Sequence, residues 1–207
     1  MDIDSEQLAY WYLRLNGFLT IPNFVVHPDS GKNQETDVDV LGVRLPFRAE
    51  NISRPMRDAD LFTRKRDKTY LIIAEVKSGL CLLNGPWTKP ERQNMQRVLM
   101  AVGAFTKAET EIVAKALYEV GKYTNQLYHV SLACLGRDRN DEISQKYPDV
   151  PQILWNEVLT FIHQRFSEYR KTKISHPQWD QDGRNLWNQY AAHPRDAIQF
   201  ASSIRVS

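Results

Sequence analysis

The segment from Tyr70 to Gly79, YLIIAEVKSG, constrains the fold of this chain more than any other. Its apolar run follows a charged patch and ends in Ser-Gly, a pattern typical of a buried strand in a mixed or parallel sheet. Glu75 and Lys77 interrupt the run at alternate positions, so on a strand both side chains point to the same face. Because burying an unpaired charge is costly, the simplest explanations are an ion pair on an edge strand or a strand end in solvent.

A second strand that carries acids, TDVDVLGV from Thr36 to Val43, lies upstream. Asp37 and Asp39 alternate with valines and share one face, and Glu35 lies next to that face at the start of the strand. Asp is a poor strand former, so two on one face require another explanation. Neighbouring carboxylates repel each other unless a cation lies among them, and oxygen ligands without nearby His or Cys suit Mg²⁺ or Mn²⁺. The alternative is an edge strand guarded by negative charge.

The first helix is predicted from Asp4, its N-cap, to about Asn16, with Gly17 at the C′ position. Glu6 shares a row of this helix with Ala9, whose small side chain lets the helix approach the sheet closely. This row predicts that Glu6 lies near the acids of the second strand. On the residues alone, a solvated first-turn acid favoured by the helix dipole is the alternative.

Asp39 and the triplet Glu75-Val76-Lys77 together resemble the catalytic signature of the PD-(D/E)xK nuclease superfamily, which includes restriction endonucleases, Holliday-junction resolvases and repair exonucleases. The first helix is similar to the opening helix of the resolvase-like branch, in which a Glu is followed by an Ala, a Leu and a Gly at helical spacing. The resemblance covers Ser5 to about Phe105. Val38 replaces the proline that gives the superfamily its name, and the interval from Asp39 to Glu75 is longer than a hairpin needs.

The resemblance implies an α/β fold of the restriction-endonuclease-like type, with a mixed central sheet flanked by helices. We expect this nuclease-like domain over residues 1–150 and a C-terminal helical extension, packed on the same domain, over residues 151–207. Within these regions the apolar spacing predicts helices over about 90–105, 109–120 and 151–171, and a strand over 125–136.

The resemblance also implies a metal-dependent site. Its catalytic residues are Glu6, Asp39, Glu75 and Lys77. Its Mg²⁺ (or Mn²⁺) ligands are Asp39, Glu75 and the backbone carbonyl of Val76. Asp37 is an auxiliary candidate that competes with Asp39; we favour Asp39 because it directly precedes an apolar pair, as the acid of the family usually does. Gln93, on the helix after Glu75-Val76-Lys77, is a second auxiliary candidate, and a solvated glutamine is its alternative.

The activity implied by this site is hydrolysis of phosphodiester bonds by a metal-dependent nuclease. We expect DNA as its partner and endonucleolytic cleavage as its reaction. A catalytically silent nucleic-acid-binding domain is one alternative. A nuclease subunit that is active only within a larger defence or repair complex is another, and a second copy of the chain or a partner protein stays open as a further partner. DNA versus RNA, sequence preference and polarity of cleavage also stay open.

Residues 44–68 form a polar insertion between the two acid-bearing strands, with eight basic and four acidic residues. Basic side chains beside a cation site suit a phosphodiester backbone, whose neutralisation supplies most nucleic-acid affinity. The predicted nucleic-acid contacts are Arg64, Lys65 and Arg66 in this insertion and Arg97 on the following helix. A solvated, irregular loop is the alternative for the insertion.

Other features of the sequence exclude several classes of protein. The two cysteines, Cys81 and Cys134, are too few for a disulfide framework or a structural zinc site. The acidic start of the chain does not fit a signal or transit peptide, and no apolar run reaches the length of a membrane span. We therefore expect a cytoplasmic protein without membrane contacts.

Overall fold

The fold is seen in a computed structural model, which describes residues 1–27, 36–49, 57–64, 67–171 and 179–207. The strands are β1 (Asp2–Ile3), β2 (Leu19–Val26), β3 (Thr36–Arg44), β4 (Thr69–Val76), β5 (Lys122–Thr124), β6 (Tyr128–Gly136), β7 (Gln152–Leu154) and β8 (Arg205–Val206). The helices are α1 (Ser5–Leu15), α2 (Asp60–Thr63), α3 (Gly85–Thr88), α4 (Asn94–Val102), α5 (Lys107–Val120), α6 (Asp141–Lys146), α7 (Trp155–Glu168), α8 (Gln181–Ala192) and α9 (Ala197–Ser202). The predicted mixed α/β architecture, with a central mixed sheet flanked by helices, is confirmed.

The central sheet has the order β2-β3-β4-β6-β5, and β7 also pairs with β6. The first three strands form an antiparallel meander, whereas β4 and β6 are parallel. Parallel strands need a crossover connection, and the segment that contains α3, α4 and α5 supplies it. A separate parallel pair joins β1 to β8.

The sheet separates two apolar clusters, and β4 contributes to both. Ile72 and Ala74 pack with α1, α7, α8 and α9 on the first face, while Leu71 and Ile73 pack with α3, α4, α5 and α6 on the second. Both faces of the strand are therefore buried, which explains its nearly continuous apolar sequence. Each such side chain contributes about 1.5–3 kcal/mol on burial.

Strand β3 changes its packing face at Asp39. Val40 belongs to the first cluster and Val38 to the second, although alternate residues of a regular strand share a face. On the neighbouring strand, Asn23 adopts a left-handed conformation with φ +50°, which Asn tolerates better than most residues. Asp39 therefore lies between a residue of β3 that packs in the second cluster and one that packs in the first.

Helix α1 has the predicted caps. The Asp4 side chain accepts hydrogen bonds from the backbone N–H groups of Glu6 and Gln7, and Gly17 follows the helix with φ +82°. These caps satisfy backbone groups that a helix end leaves open. The helix itself ends at Leu15, and the side chain of Ala9, within the helix, is fully buried.

Three predicted boundaries are wrong. The helix over 90–105 is a short 3₁₀ turn followed by α4, because Gln93 adopts a left-handed conformation with φ +56° between the two. The helix from 151 begins only at Trp155, because residues 152–154 pair with β6 as β7. Strand β6 begins at Tyr128, because Asn125 forms a turn in which its Oδ1 accepts hydrogen bonds from the backbone N–H groups of Leu127 and Tyr128.

Residues 151–207 contribute to both the sheet and the first cluster. β7 extends the central sheet, and α7, α8 and α9 pack with α1. Among the residues that the structure describes, no helix combines the length and the apolar character needed to cross a membrane.

Candidate functional site

The end of β4 and the middle of β3 bring two of the predicted acids together. Val40 pairs with Ala74 in the antiparallel register, and ladder pairing stops there, next to Asp39 and Glu75. Beyond the end of the ladder, a side-chain contact joins the two strands. The Asp39 Oδ2 accepts a hydrogen bond from the Val76 backbone N–H at 2.6 Å. This bond fixes the Asp39 side chain against the neighbouring strand.

The Lys77 ammonium lies among three oxygens. It donates to Glu75 Oε1 at 2.5 Å and to the Val76 carbonyl at 2.9 Å, and it lies 3.7 Å from Asp39 Oδ2. We call these three atoms the oxygen trio. They belong to the three residues predicted to bind a metal ion, so the oxygens converge on one cation, and that cation is the ammonium of Lys77.

The Glu75 carboxylate is held by two residues that sequence reasoning missed. Asn84 Nδ2 donates to Oε1, and the indole Nε1 of Trp87 donates to Oε2. Glu75 and Trp87 are both buried, at 2% and 1% exposure. A tryptophan in the turn after the Glu-x-Lys triplet was the available signal, because a buried indole N–H usually needs an acceptor.

Glu6 reaches the same region from α1. The pKa of Glu6 is raised, and burial is the largest cause. The carboxylates of Asp39, Asp4 and Asp37 raise it further, whereas Lys77 lowers it. The structure therefore places Glu6 in the electrostatic field of the β3 acids. Glu6 acts on the trio through this field, whereas hydrogen bonds and ion pairs join Asp39, Glu75, Val76 and Lys77 to one another.

Burial also raises the pKa values of the two acids in the trio. The pKa of Asp39 is raised despite its hydrogen bond from Val76 and the nearby Lys77. The pKa of Glu75 is raised despite hydrogen bonds from Lys77 and Trp87. Burial lowers the pKa of Lys77, but its hydrogen bond to Glu75 and the charges of Glu75 and Asp39 outweigh that effect and raise it. Lys77 is consequently an ammonium near neutral pH and not a general base in this arrangement.

The donor chemistry of the trio fits a hard divalent cation. Mg²⁺ is usually bound by one or two carboxylates and keeps several waters, and the trio offers two carboxylates and a carbonyl. Within the described ranges, no three His, Cys, Asp or Glu side chains form a group that could hold a metal. The trio is not such a group because its third oxygen comes from the backbone. A metal ion would take the place of the Lys77 ammonium.

The other predicted site residues lie elsewhere or outside the described residues. Arg64 is exposed just after α2. Gln93 and Arg97 line a cavity beside α4 and α5, and neither side chain forms a hydrogen bond with Asp39, Glu75 or Lys77. The predictions for Glu35, Lys65 and Arg66 fall outside the described residues.

Part of the basic charge predicted for residues 44–68 is internal. Asp58 accepts ion-pair contacts from Arg44 at 2.6 Å, Arg48 at 2.6 Å and Arg165 of α7 at 2.8 Å, a group we call the Asp58 cluster. Arg44 and Arg165 are almost completely buried, at 2% and 0% exposure. These arginines join β3 to α7. The insertion therefore offers fewer positive charges to a phosphodiester backbone than its excess of basic residues indicates.

Comparisons with known proteins do not extend these observations: no family model, curated protein or solved structure matches the chain. A function for this chain therefore has to be inferred from the site geometry and from the resemblance carried by Glu6, Asp39, Glu75 and Lys77.

Proposed function

We propose that this chain is a metal-dependent phosphodiesterase of the PD-(D/E)xK type with a restriction-endonuclease-like fold, and that it acts as a DNA endonuclease. The observation that carries the proposal is the convergence of the oxygen trio on one cation. The antiparallel meander of β2, β3 and β4 and the parallel pairing of β4 with β6 support the fold assignment.

Each residue of the site has a role in this proposal. Asp39, Glu75 and the Val76 carbonyl would hold Mg²⁺ or Mn²⁺, which supplies Lewis-acid stabilisation of the phosphate and an acidified water. Asn84 and Trp87 hold the Glu75 carboxylate in the orientation that ligation requires. Glu6 adds a further carboxylate at the edge of the site, suited to orient a water or to support a second ion.

Lys77 has to leave the oxygen trio before a divalent cation enters, because two cations cannot share the same oxygens. Its side chain is 27% exposed, so the ammonium has a route toward solvent. There it is suited to pair with the phosphate of a substrate and to stabilise charge that develops during hydrolysis. The same lysine thus neutralises the acids in the absence of metal and binds the anion in its presence.

One observation favours a second candidate, a nucleic-acid-binding domain without turnover. The Lys77 ammonium already pairs with both acids of the trio, so the folded chain does not need a metal ion to balance their charge. A domain that had lost catalysis could keep this arrangement as a structural ion pair.

Cleavage assays separate the two candidates. Supercoiled plasmid, linear duplex, single strands and a four-way junction are incubated with Mg²⁺, Mn²⁺ or EDTA, with Asp39→Asn and Lys77→Met beside the wild type. Lys89→Met is the matched control, because Lys89 is an exposed lysine outside the trio. We expect metal-dependent cleavage by the wild type and the control, reduced about 100-fold or more in both site variants.

Other outcomes decide against the nuclease proposal. Binding of nucleic acid without cleavage in any metal favours the binding domain. Cleavage by Asp39→Asn and Lys77→Met at the rate of the wild type means that the oxygen trio is not the active site.

A further inference from the structure

The acids around the oxygen trio repel the proposed substrate. A nucleic acid carries one negative charge per phosphate, and Glu6, Asp37 and Asp39 lie close enough together to act on one another. The arginines of the Asp58 cluster do not balance these acids, because they pair with Asp58 inside the protein. Binding of a nucleic acid at the trio therefore calls for a cation besides Lys77.

Strand β6 ends at the same edge of the sheet as the trio, because β4 and β6 are parallel neighbours. Their pairing continues past the end of β4, where the Lys77 N–H donates to the Leu135 carbonyl at 2.9 Å. Two residues further on, the Arg137 N–H donates to the Gly79 carbonyl at 2.6 Å. The backbone of Arg137 is thereby fixed beside the segment that follows the trio.

The guanidinium of Arg137 lies close to Gly79. A Cβ atom added to Gly79 would lie 3.9 Å from Arg137 Nη2. The Cα of Gly79 is at most about 7 Å from the Cα of Lys77, since two residues of fully extended chain span no more. The guanidinium is therefore a neighbour of the trio in space, although Arg137 is far from Lys77 in the sequence.

The contacts of the Arg137 side chain hold it by one nitrogen. Its Nε donates to Asp138 Oδ2 at 3.0 Å, and the side chain is 71% exposed. Within the part of the chain that the structure describes, its two terminal nitrogens have no hydrogen-bond partner. Arg139 differs, because its Nη2 donates to Glu157 of α7 at 3.1 Å. A guanidinium held through Nε presents two parallel N–H donors, which match two oxygens of a phosphate.

We propose that Arg137 binds a backbone phosphate of the nucleic acid next to the phosphate at the oxygen trio, and that Asp138 orients its guanidinium. The proposal rests on the proposed function, which supplies nucleic acid as the substrate class. Lys77 and Arg137 then contact the substrate from the ends of β4 and β6, and the two cations offset the repulsion by the acids of α1 and β3.

The salt dependence of binding tests this contact separately from cleavage. Fluorescence anisotropy measures the affinity for a labelled duplex and a labelled single strand in EDTA and in Ca²⁺, over a series of NaCl concentrations. Each phosphate that a protein neutralises contributes about 0.9 to the slope of log K against log[salt] for a duplex and about 0.7 for a single strand. We expect Arg137→Gln to bind about 10-fold more weakly and to lose about that much of the slope. Arg137→Lys keeps a cation without the fork, so it should bind more weakly than the wild type but keep the slope.

Arg139→Gln is the matched control, because it removes the same charge from the same loop at a residue that pairs with Glu157. It should keep the slope of the wild type, and circular dichroism shows that each variant is folded. An unchanged slope in Arg137→Gln, an equal loss in Arg139→Gln, or no binding of either nucleic acid by the wild type overturns the proposal. Loss of the slope in Arg137→Lys would mean that Arg137 acts on the structure of the loop. Inorganic phosphate that competes far better than sulfate at the same ionic strength would assign Arg137 to a free phosphate instead.

The outcomes also separate this proposal from the nuclease proposal. A smaller slope in Arg137→Gln without cleavage by the wild type in any metal keeps the phosphate contact and overturns the nuclease. Cleavage that depends on Asp39 and Lys77, with an unchanged slope in Arg137→Gln, does the reverse.

Discussion

Two clusters of charged side chains, the Asp58 cluster and the group around the oxygen trio, use the same kinds of groups in opposite proportions. Among the described residues, three arginines surround the Asp58 carboxylate, and Arg44 and Arg165 are almost fully buried. Around the trio, one lysine faces three acids, and the side chain of Lys77 is partly exposed. The first cluster connects secondary-structure elements, whereas the second gathers oxygens around one partly exposed ammonium.

The difference shows how charge placement separates a structural role from a chemical one. A buried ion pair loses hydration on folding, so its members are held by one another and removal of one leaves the others uncompensated. Around the trio, burial raises the carboxylate pKa values and repulsion between neighbouring acids raises them further, so a cation that pairs with these acids is favoured. Four experiments test whether the two clusters differ in this way.

Removal of the Asp58 carboxylate should have the largest effect on stability. Asp58→Asn removes a buried anion that three arginines share, so we expect a loss of about 3–5 kcal/mol in the free energy of unfolding. Urea denaturation of the purified protein measures it. Asp60→Asn, at an exposed acid two positions further along the chain, should change the value by less than about 0.5 kcal/mol. Similar losses for both variants would mean that the Asp58 cluster does not connect β3 to α7.

Two variants of the trio should change metal affinity in opposite directions. Asp39→Asn removes a charged ligand and should weaken Mn²⁺ binding about 10- to 100-fold. Lys77→Met removes the competing ammonium and should strengthen it about 10-fold. Isothermal titration calorimetry with Mn²⁺ measures both. Weaker binding in both variants would contradict displacement of the ammonium by the metal.

Trp87→Phe tests whether the indole N–H orients Glu75. The substitution keeps an aromatic ring in the core but leaves Glu75 Oε2 without this donor, so we expect a loss of about 1–3 kcal/mol in stability. Mn²⁺ affinity should fall as well, which a purely structural tryptophan would not require. Trp155→Phe is the matched control, because the Trp155 Nε1 has no hydrogen-bond partner in the described chain. It should leave Mn²⁺ affinity unchanged.

Glu6 should show the smallest effect, and it should depend on pH. The folded protein holds the pKa of Glu6 above its ordinary value, first through burial and then through Asp39. The stability linked to its protonation is present below the unfolded pKa of about 4.3 and is lost as pH rises through the folded pKa. Glu6→Gln should therefore be more stable than the wild type near pH 7, by less than about 0.5 kcal/mol, and the difference should vanish below about pH 4.

Thermal unfolding of both proteins across this pH range measures that difference. Glu91→Gln, at an exposed acid outside α1 and β3, is the matched control and should leave the stability close to that of the wild type. A Glu6→Gln variant that is less stable than the wild type near neutral pH would mean that the helix dipole outweighs repulsion from the β3 acids.

Much of the site could be predicted from sequence because its residues lie on regular elements. Asp39 and Glu75 lie in strands, Lys77 directly follows one, and Glu6 follows helical spacing with Ala9, so each could be placed in a regular element. Asn84 and Trp87 could not be assigned in this way, because they lie on a one-turn helix after β4 where no periodicity indicates direction. Their contact with Glu75 depends on the path of the chain after the strand.

The local features of this protein could be predicted from the order of its residues. The buried strand at Tyr70, the caps of α1 at Asp4 and Gly17 and the acids of β3 follow from side-chain chemistry and spacing of neighbouring residues. The tertiary structure alone decided which charges meet. Arg165 pairs with Asp58 from a distant helix, and β7 forms because β6 offers an open edge. These pairings join residues far apart in the chain, and spacing along a sequence carries no information about such distances.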